Sequence, residues 1–269
     1  MRKVHGVVGA VAMAAAALAP GMASAQASDE LKFDAIVYGW LPTIGGKTSF
    51  PAGSGSNINV DANQILDSLK FTFMGTLGAQ KGRWGLFADI AYLDVGNSKS
   101  ATRNLSVQGV ELPASVSANA SLDLKSAIWT VAGSYRLVAD PQSTLDVFAG
   151  ARGIQLKERL RWEFSANIDG TLPPARSGES TITDKNTDAI VGVKGRYAFG
   201  DDRQWFVPYY GDVGGGGSKV TWQGIAGLGY TFRWGELFGA WRYIDYKLKD
   251  TKIQEATFNG PAIGVAFHW

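Results

Sequence analysis

The chain has 269 residues, with 26 Lys and Arg against 24 Asp and Glu and a formal net charge of +2. That charge is too small and too scattered to support a nucleic-acid partner. The absence of cysteine excludes disulfides, thiol chemistry and cysteine-held metal sites, while 34 glycines and 12% aromatic residues suit many short strands and turns.

The first segment does not read as part of a fold. "MRKVHGVVGAVAMAAAALAPGMASAQA" places basic Arg2 and Lys3 before an Ala/Val-rich core and an Ala23-Ser24-Ala25 site. This order of charged, apolar and small residues predicts a secretory signal peptide over 1–25. Cleavage would leave 26–269, a single domain of 269 − 25 = 244 residues. A membrane-anchoring helix fits less well, because the core is short and interrupted by Pro20. No later stretch approaches about 18 consecutive apolar residues, so no transmembrane helix is expected.

From there on, alternation dominates. Strands are predicted near 31–42, 69–81, 84–95, 122–139, 144–162, 185–200, 204–213, 219–233, 236–249 and 257–269. In "RWGLFADIAYLD", one parity reads Trp84, Leu86, Ala88, Ile90, Tyr92 and the other Gly85, Phe87, Asp89, Ala91, Leu93. One face is therefore cleanly apolar and the other mixed. "RWGELFGAWRYID" (Arg233 to Asp245) repeats that unit with Glu236 inserted. "LGYTFRW" (Leu228 to Trp234) is likewise echoed by "IGVAFHW" (Ile263 to Trp269). Tight turns ("QKGRW", "ADPQST", "GDDRQ", "FRWGE") alternate with long polar stretches near 43–68, 96–121 and 163–184. Hairpins joined in this way predict an all-β, antiparallel up-and-down transmembrane β-barrel of about ten strands, with eight and twelve as the neighbouring even counts.

The competing architecture is a soluble secreted β-barrel with the apolar face inside. Aromatic residues near strand ends on the apolar face favour the membrane: Trp84, Tyr92, Tyr135, Tyr197, Trp205, Trp222, Phe232 and Tyr243. So does an opposite face carrying glycine, threonine and sparse charges of both signs. The last strand, "NGPAIGVAFHW", ends on Trp269 with Phe267, Val265 and Ile263 at alternate positions. It resembles the terminal-strand insertion signal of Gram-negative outer-membrane proteins. "YGWLPTIGGKTSF" followed by "ILDSLKFTFMGTLGAQKGRWGLFADIAYLDVG" is similar to a group of proteobacterial outer-membrane β-barrels of unassigned activity. The resemblance implies a Gram-negative outer membrane as location and the outer-membrane assembly machinery as a partner. It transfers no catalytic or binding residue.

Chemistry is limited by histidine. His5 lies in the predicted signal peptide, and His268 is expected as an interfacial residue at the periplasmic end of the last strand. Ser-His-Asp and Asp-His mechanisms are thus closed, and no enzyme, cofactor or metal is expected. "GDVGGGGSKV" (Gly211 to Val220) is not a phosphate loop, because no Gly-Lys-Ser/Thr opens a helix there; a flexible outer loop is the better account. In "NVDANQILDSLKF", Asp61 and Gln64 form a capping-box-like pair before Ile65, Leu66 and Leu69. A short amphipathic helix is predicted, packed on the barrel rim or folded into its mouth as a lid.

By parity, Asp34, Asp89, Arg136, Asp146, Arg152, Lys194, Arg196, Asp212, Gln223 and Arg242 face the lumen. Acids and bases nearly balance, and buried charges are costly unless paired, so a salt-bridged lumen is expected. The reading is a non-enzymatic outer-membrane barrel with a structural or surface-interaction role; the alternative is a narrow or gated porin-like channel for small solutes. "RLRWEF" carries Arg159 and Arg161, bases placed to contact lipopolysaccharide phosphates in the outer leaflet.

Overall fold

A computed structural model describes residues 30–48, 56–67, 69–96, 101–102, 116–166, 176–249 and 253–269. The predicted signal peptide lies outside them. In chain order the elements are β1 (Leu31–Trp40), β2 (Thr43–Thr48), β3 (Ser56–Val60), α1 (Ala62–Asp67), β4 (Leu69–Lys81), β5 (Trp84–Gly96), β6 (Ala101–Thr102), β7 (Val116–Ala139), β8 (Ser143–Ala166), β9 (Arg176–Phe199), β10 (Trp205–Gly216), β11 (Ser218–Thr231), β12 (Glu236–Leu248) and β13 (Ile253–His268). Ten of them pair antiparallel in the order β1-β4-β5-β7-β8-β9-β10-β11-β12-β13, and β13 pairs back to β1 from Asp34↔His268 to Trp40↔Ala262. The sheet is closed, so these staves have no free edge along that register. This is the up-and-down barrel that the hairpin pattern predicts.

Tight hairpins gather at one end, here the turn end. Gly82 has a φ of 57° and Gly200 one of 84°, left-handed values that glycine adopts without strain. The Asp140 carboxylate closes another turn by accepting from the backbone N–H of Gln142 at 3.0 Å and Ser143 at 2.6 Å. The opposite end is the loop end.

Period-two alternation sets the two faces of the wall. On β5, Leu86 and Ile90 point out, while Phe87, Ala91 and Leu93 are buried inside. Outward aromatic pairs mark two levels. Trp84–Tyr135 and Trp205–Tyr230, each 5.0 Å apart, lie at the turn end; Trp222–Tyr243 at 4.6 Å and Phe71–Tyr92 at 5.9 Å lie toward the loop end. Trp84 and Tyr92 are eight residues apart on β5, or roughly 26 Å along a strand. A tilt of about 40° turns this into ~20 Å of height, close to the apolar band of a membrane barrel.

Between those levels the wall shows apolar side chains to the outside, with Leu77 64%, Leu86 58% and Ile263 64% exposed. Leaving so many large apolar groups in water, at about 1.5–3 kcal/mol each, would cost tens of kcal/mol. The soluble alternative is thereby overturned, and the fold is that of a transmembrane β-barrel.

The stretches expected as loops contain more structure than alternation shows. β2 pairs with the loop-end half of β13, and β3 pairs with β2, so two further strands line that side above Pro42. β7, β8 and β9 run for 24 residues each, whereas about 9–11 span a bilayer. More than half of each strand therefore stands clear of the belt. Beyond the lipid no face has to be apolar, so the alternation fades and strand looks like loop. The glycine-rich stretch is a tight connection between β10 and β11, not a flexible loop. The Gly217 N–H donates to Thr187 O at 3.0 Å. The Asp188 carboxylate accepts from Ser218 N at 2.6 Å and Ser218 Oγ at 2.7 Å. A Cβ at Gly214 would lie 2.2 Å from Ala189 O, and one at Gly217 1.7 Å from Asn186 Oδ1, so glycine is what allows these strands to approach.

Candidate functional site

The lumen contains three layers. At the loop end sits an apolar plug: Trp40, Ile128, Ile154, Leu156, Ile244 and Phe258 are buried against one another, joined by Ile44 from β2 and Ile65 from α1. Ile65 is completely buried while its neighbour Leu66 is 47% exposed, so α1 turns its apolar edge into the barrel. Of the two placements predicted for this helix, the mouth is the one observed. Its first turn is closed by Ile65 N–H donating to Asp61 O at 3.1 Å.

Below the plug lies a layer built on two arginines. Arg152 of β8 is fully buried and binds Asp212 of β10 through both terminal nitrogens, at 2.8 and 2.9 Å. It also donates to Thr221 Oγ1 at 2.9 Å, and Tyr246 lies over its guanidinium at 5.5 Å. Arg242 of β12 binds Asp89 of β5 at 3.0 Å and Tyr38 Oη at 2.6 Å, under the Trp40 ring at 4.8 Å. Asp89 accepts further from Tyr38 Oη and Thr76 Oγ1, both at 2.8 Å. The Gln223 side-chain oxygen accepts from Arg152 at 3.4 Å and from Arg242 at 3.2 Å, joining the two pairs into one network across the lumen.

Toward the turn end the lumen opens into a chamber of about 310 Å³. Phe87 and Tyr210 lie on its wall in an aromatic cluster with Phe148, Phe148 and Tyr210 stacked at 5.0 Å and Phe87 edge-on to Phe148 at 5.3 Å. Arg136 holds Asp146 through Nε at 2.7 Å and Nη2 at 3.1 Å. At the mouth Arg196 binds Glu236, lies over the Phe206 ring at 4.1 Å and donates to Thr231 Oγ1 at 3.3 Å. His268 Nε2 approaches Glu236 Oε2 at 3.3 Å. Lys194 lies 4.2 Å from the Phe87 ring centroid.

The residues read as lumenal therefore fall into definite groups: Arg152–Asp212, Arg242–Asp89 and Arg136–Asp146 pair, Gln223 bridges, and Asp34, Lys194 and Arg196 line the chamber. Three points differ from expectation. The interior is an apolar plug over a charged layer, because the lumen face of the staves turns apolar at Ala91, Leu93 and Val95 and at their neighbours. Glu236, an insertion when the two repeats are aligned, shares the parity of Arg242 and joins Arg196 and His268 at the mouth. His268 faces the lumen mouth and not the interface, being in phase with Ala266 while Phe267 and Trp269 point out.

Arg159 lies on the outer wall beyond the loop-end aromatic level, where it pairs with Glu179 at 3.2 Å. Beside it are Lys70, paired with Asp123 at 2.8 Å, Lys125, paired with Asp94 at 2.6 Å, and Lys157. The hydrogen bond to Asp94 and its negative charge hold the Lys125 ammonium above the usual lysine range. The side chain of Arg161 lies outside the described residues. Among the described residues no three His, Asp or Glu side chains are grouped to hold a metal ion.

No family model and no curated protein matches this chain. Among solved structures it is similar to the outer membrane protease OmpT from Escherichia coli, with 11% identity over 89% of this chain and 96% of that one and a TM-score of 0.46. It is also similar to the translocator domain of the autotransporter NalP from Neisseria meningitidis (13% identity, 89% and 90% coverage, TM-score 0.37). A third is Ail, the attachment invasion locus protein of Yersinia pestis (12% identity, 90% and 99% coverage, TM-score 0.34). At such identities no residue of this chain inherits a role from them.

Proposed function

We propose that this chain is a non-enzymatic outer-membrane barrel whose lumen is closed and whose role is structural or surface-directed. The observation that carries the reading is the apolar plug stacked on the Arg152–Gln223–Arg242 layer, both lying between the chamber and the loop end. An ion crossing it would shed its water without gaining a polar path in return. The outward apolar belt supports a membrane location. The outward Ile263, Phe267 and Trp269, with Val265 in phase, support recognition by the outer-membrane assembly machinery and a periplasmic turn end. The protruding β7–β9 and the basic patch about Lys125, Lys157 and Arg159 would then meet lipopolysaccharide and the cell exterior.

A gated channel is the second reading, and α1 favours it: Ile65 is a plug residue on a six-residue helix rather than on a barrel stave. Planar-bilayer conductance of the refolded protein separates the two. Silence from both the unaltered protein and Ile65→Asp supports a closed barrel. Steps from the unaltered protein, altered by R152Q or R196Q, would refute closure, and steps from Ile65→Asp alone would identify α1 as the gate.

A further inference from the structure

On the closed-lumen reading proposed above, the chamber at the turn end is blind, with the arginine layer and the plug between it and the loop end. Its charges are unevenly satisfied. Asp146 is the direct cross-strand partner of Lys194, yet both of its oxygens are taken by Arg136. Glu236 is shared by Arg196 and His268, and Asp89 by Arg242, Tyr38 and Thr76. Among the described residues Lys194 thus has no carboxylate within ion-pair distance; what faces its ammonium is the Phe87 ring at 4.2 Å. An aromatic face returns only a fraction of the hydration that an enclosed ammonium gives up. A second polar group in the same chamber is also unsatisfied: Thr130 Oγ1 is buried without a hydrogen-bond partner among the described residues. An ammonium without a contact ion pair, on which Asp146 and Asp34 act only at longer range, a spare hydroxyl and a largely apolar aromatic wall in about 310 Å³ make a cavity of the size and character that holds small molecules.

We infer that the chamber is a binding site for a small organic anion with an apolar body, entering from the turn end. Its carboxylate pairs with Lys194, its apolar part lies along Phe87 and Tyr210, and Thr130 offers a further hydroxyl on the chamber wall. Asp34 lines the same chamber and disfavours a ligand carrying two negative charges.

The test uses the full barrel in nanodiscs, titrated calorimetrically with benzoate, benzamide and inorganic phosphate. Benzoate is expected to bind at least 10-fold more tightly than either of the others. K194M, checked for folding by heat-shifted gel mobility, is expected to lose at least 10-fold in benzoate affinity, while K194R keeps most of it. Equal binding of benzoate and benzamide would remove the role of charge, and equal binding of phosphate would remove that of the apolar wall. Absence of benzoate binding, with water alone in the chamber, overturns the inference. If K194M does not fold, the comparison of the three probes on the unaltered protein decides.

Discussion

Arg152 and Arg242, on strands β8 and β12, donate to the same oxygen of Gln223, at 3.4 and 3.2 Å. Two guanidinium groups converge there because each also holds its own carboxylate, Asp212 for Arg152 and Asp89 for Arg242. Removing one member leaves a buried charge without compensation, which costs about 3–5 kcal/mol, whereas replacing a pair with apolar groups is often neutral. R152M is therefore expected to lower unfolding stability by about 3–5 kcal/mol, and R152M with Asp212→Leu to recover most of it. Urea unfolding in lipid vesicles measures both. A double variant as unstable as the single one would mean that Asp212 is not what Arg152 neutralises.

Leu77 sits midway between the aromatic levels: its cross-strand neighbour Ala88 lies four residues from Trp84 and four from Tyr92. Leu31 pairs with Lys81 at the turn end. If the apolar wall meets lipid, a charge should cost according to depth. Leu77→Arg is expected to destabilise by about 2–4 kcal/mol and Leu31→Arg by about 0–1 kcal/mol. Unfolding in vesicles compares them, and equal penalties would argue against a bilayer lying between the two girdles.

How much of this was legible follows from which residues had to obey the lipid. Inside the belt every second side chain must be apolar, so strands such as 69–81 and 84–95 could be read almost to the residue, and parity placed Asp89, Arg152, Lys194 and Arg242 on the lumen side. Above the belt that demand lapses, which is why β2, β3 and the ends of β7–β9 carry no strand signal in the sequence. Parity gives a face but no height, so it could not separate the apolar plug from the charged layer beneath it. Nor could it tell that Asp146 would choose Arg136 over its direct neighbour Lys194, since side-chain reach across a barrel is a three-dimensional property.

Glycine in the wall divides into two kinds. A Cβ at Gly227 would stand 2.3 Å from Gly239 O and 2.7 Å from Ala240 Cα, both on the neighbouring strand, while one at Gly39 would meet nothing within 4 Å. G227A must push backbone apart and is expected to cost about 1–3 kcal/mol. G39A should be neutral or slightly stabilising, because it restricts the unfolded chain. The same unfolding assay distinguishes them. A tolerated G227A would show that β11 and β12 can separate without penalty.

Lys125 and Lys157 are direct cross-strand partners on the outer wall of β7 and β8. Like charges placed opposite each other are unfavourable, and Asp94 answers only Lys125. Lys70 and Arg159 lie in the same recess, so four bases share it with Asp123, just beyond the level at which Phe71 meets Tyr92. If the loop end faces the cell exterior, as proposed, this height meets the phosphates of the outer leaflet, where each base contributes about 1 kcal/mol. K125Q with K157Q is therefore expected to remove about 2 kcal/mol of lipopolysaccharide affinity, roughly 30-fold, with no loss of folding in plain phospholipid. The measurement is lipopolysaccharide binding by the refolded protein at 50 and 300 mM salt, since exposed contacts of this kind are screened. Unchanged affinity in the double variant, or affinity indifferent to salt, would place lipopolysaccharide recognition elsewhere on the barrel.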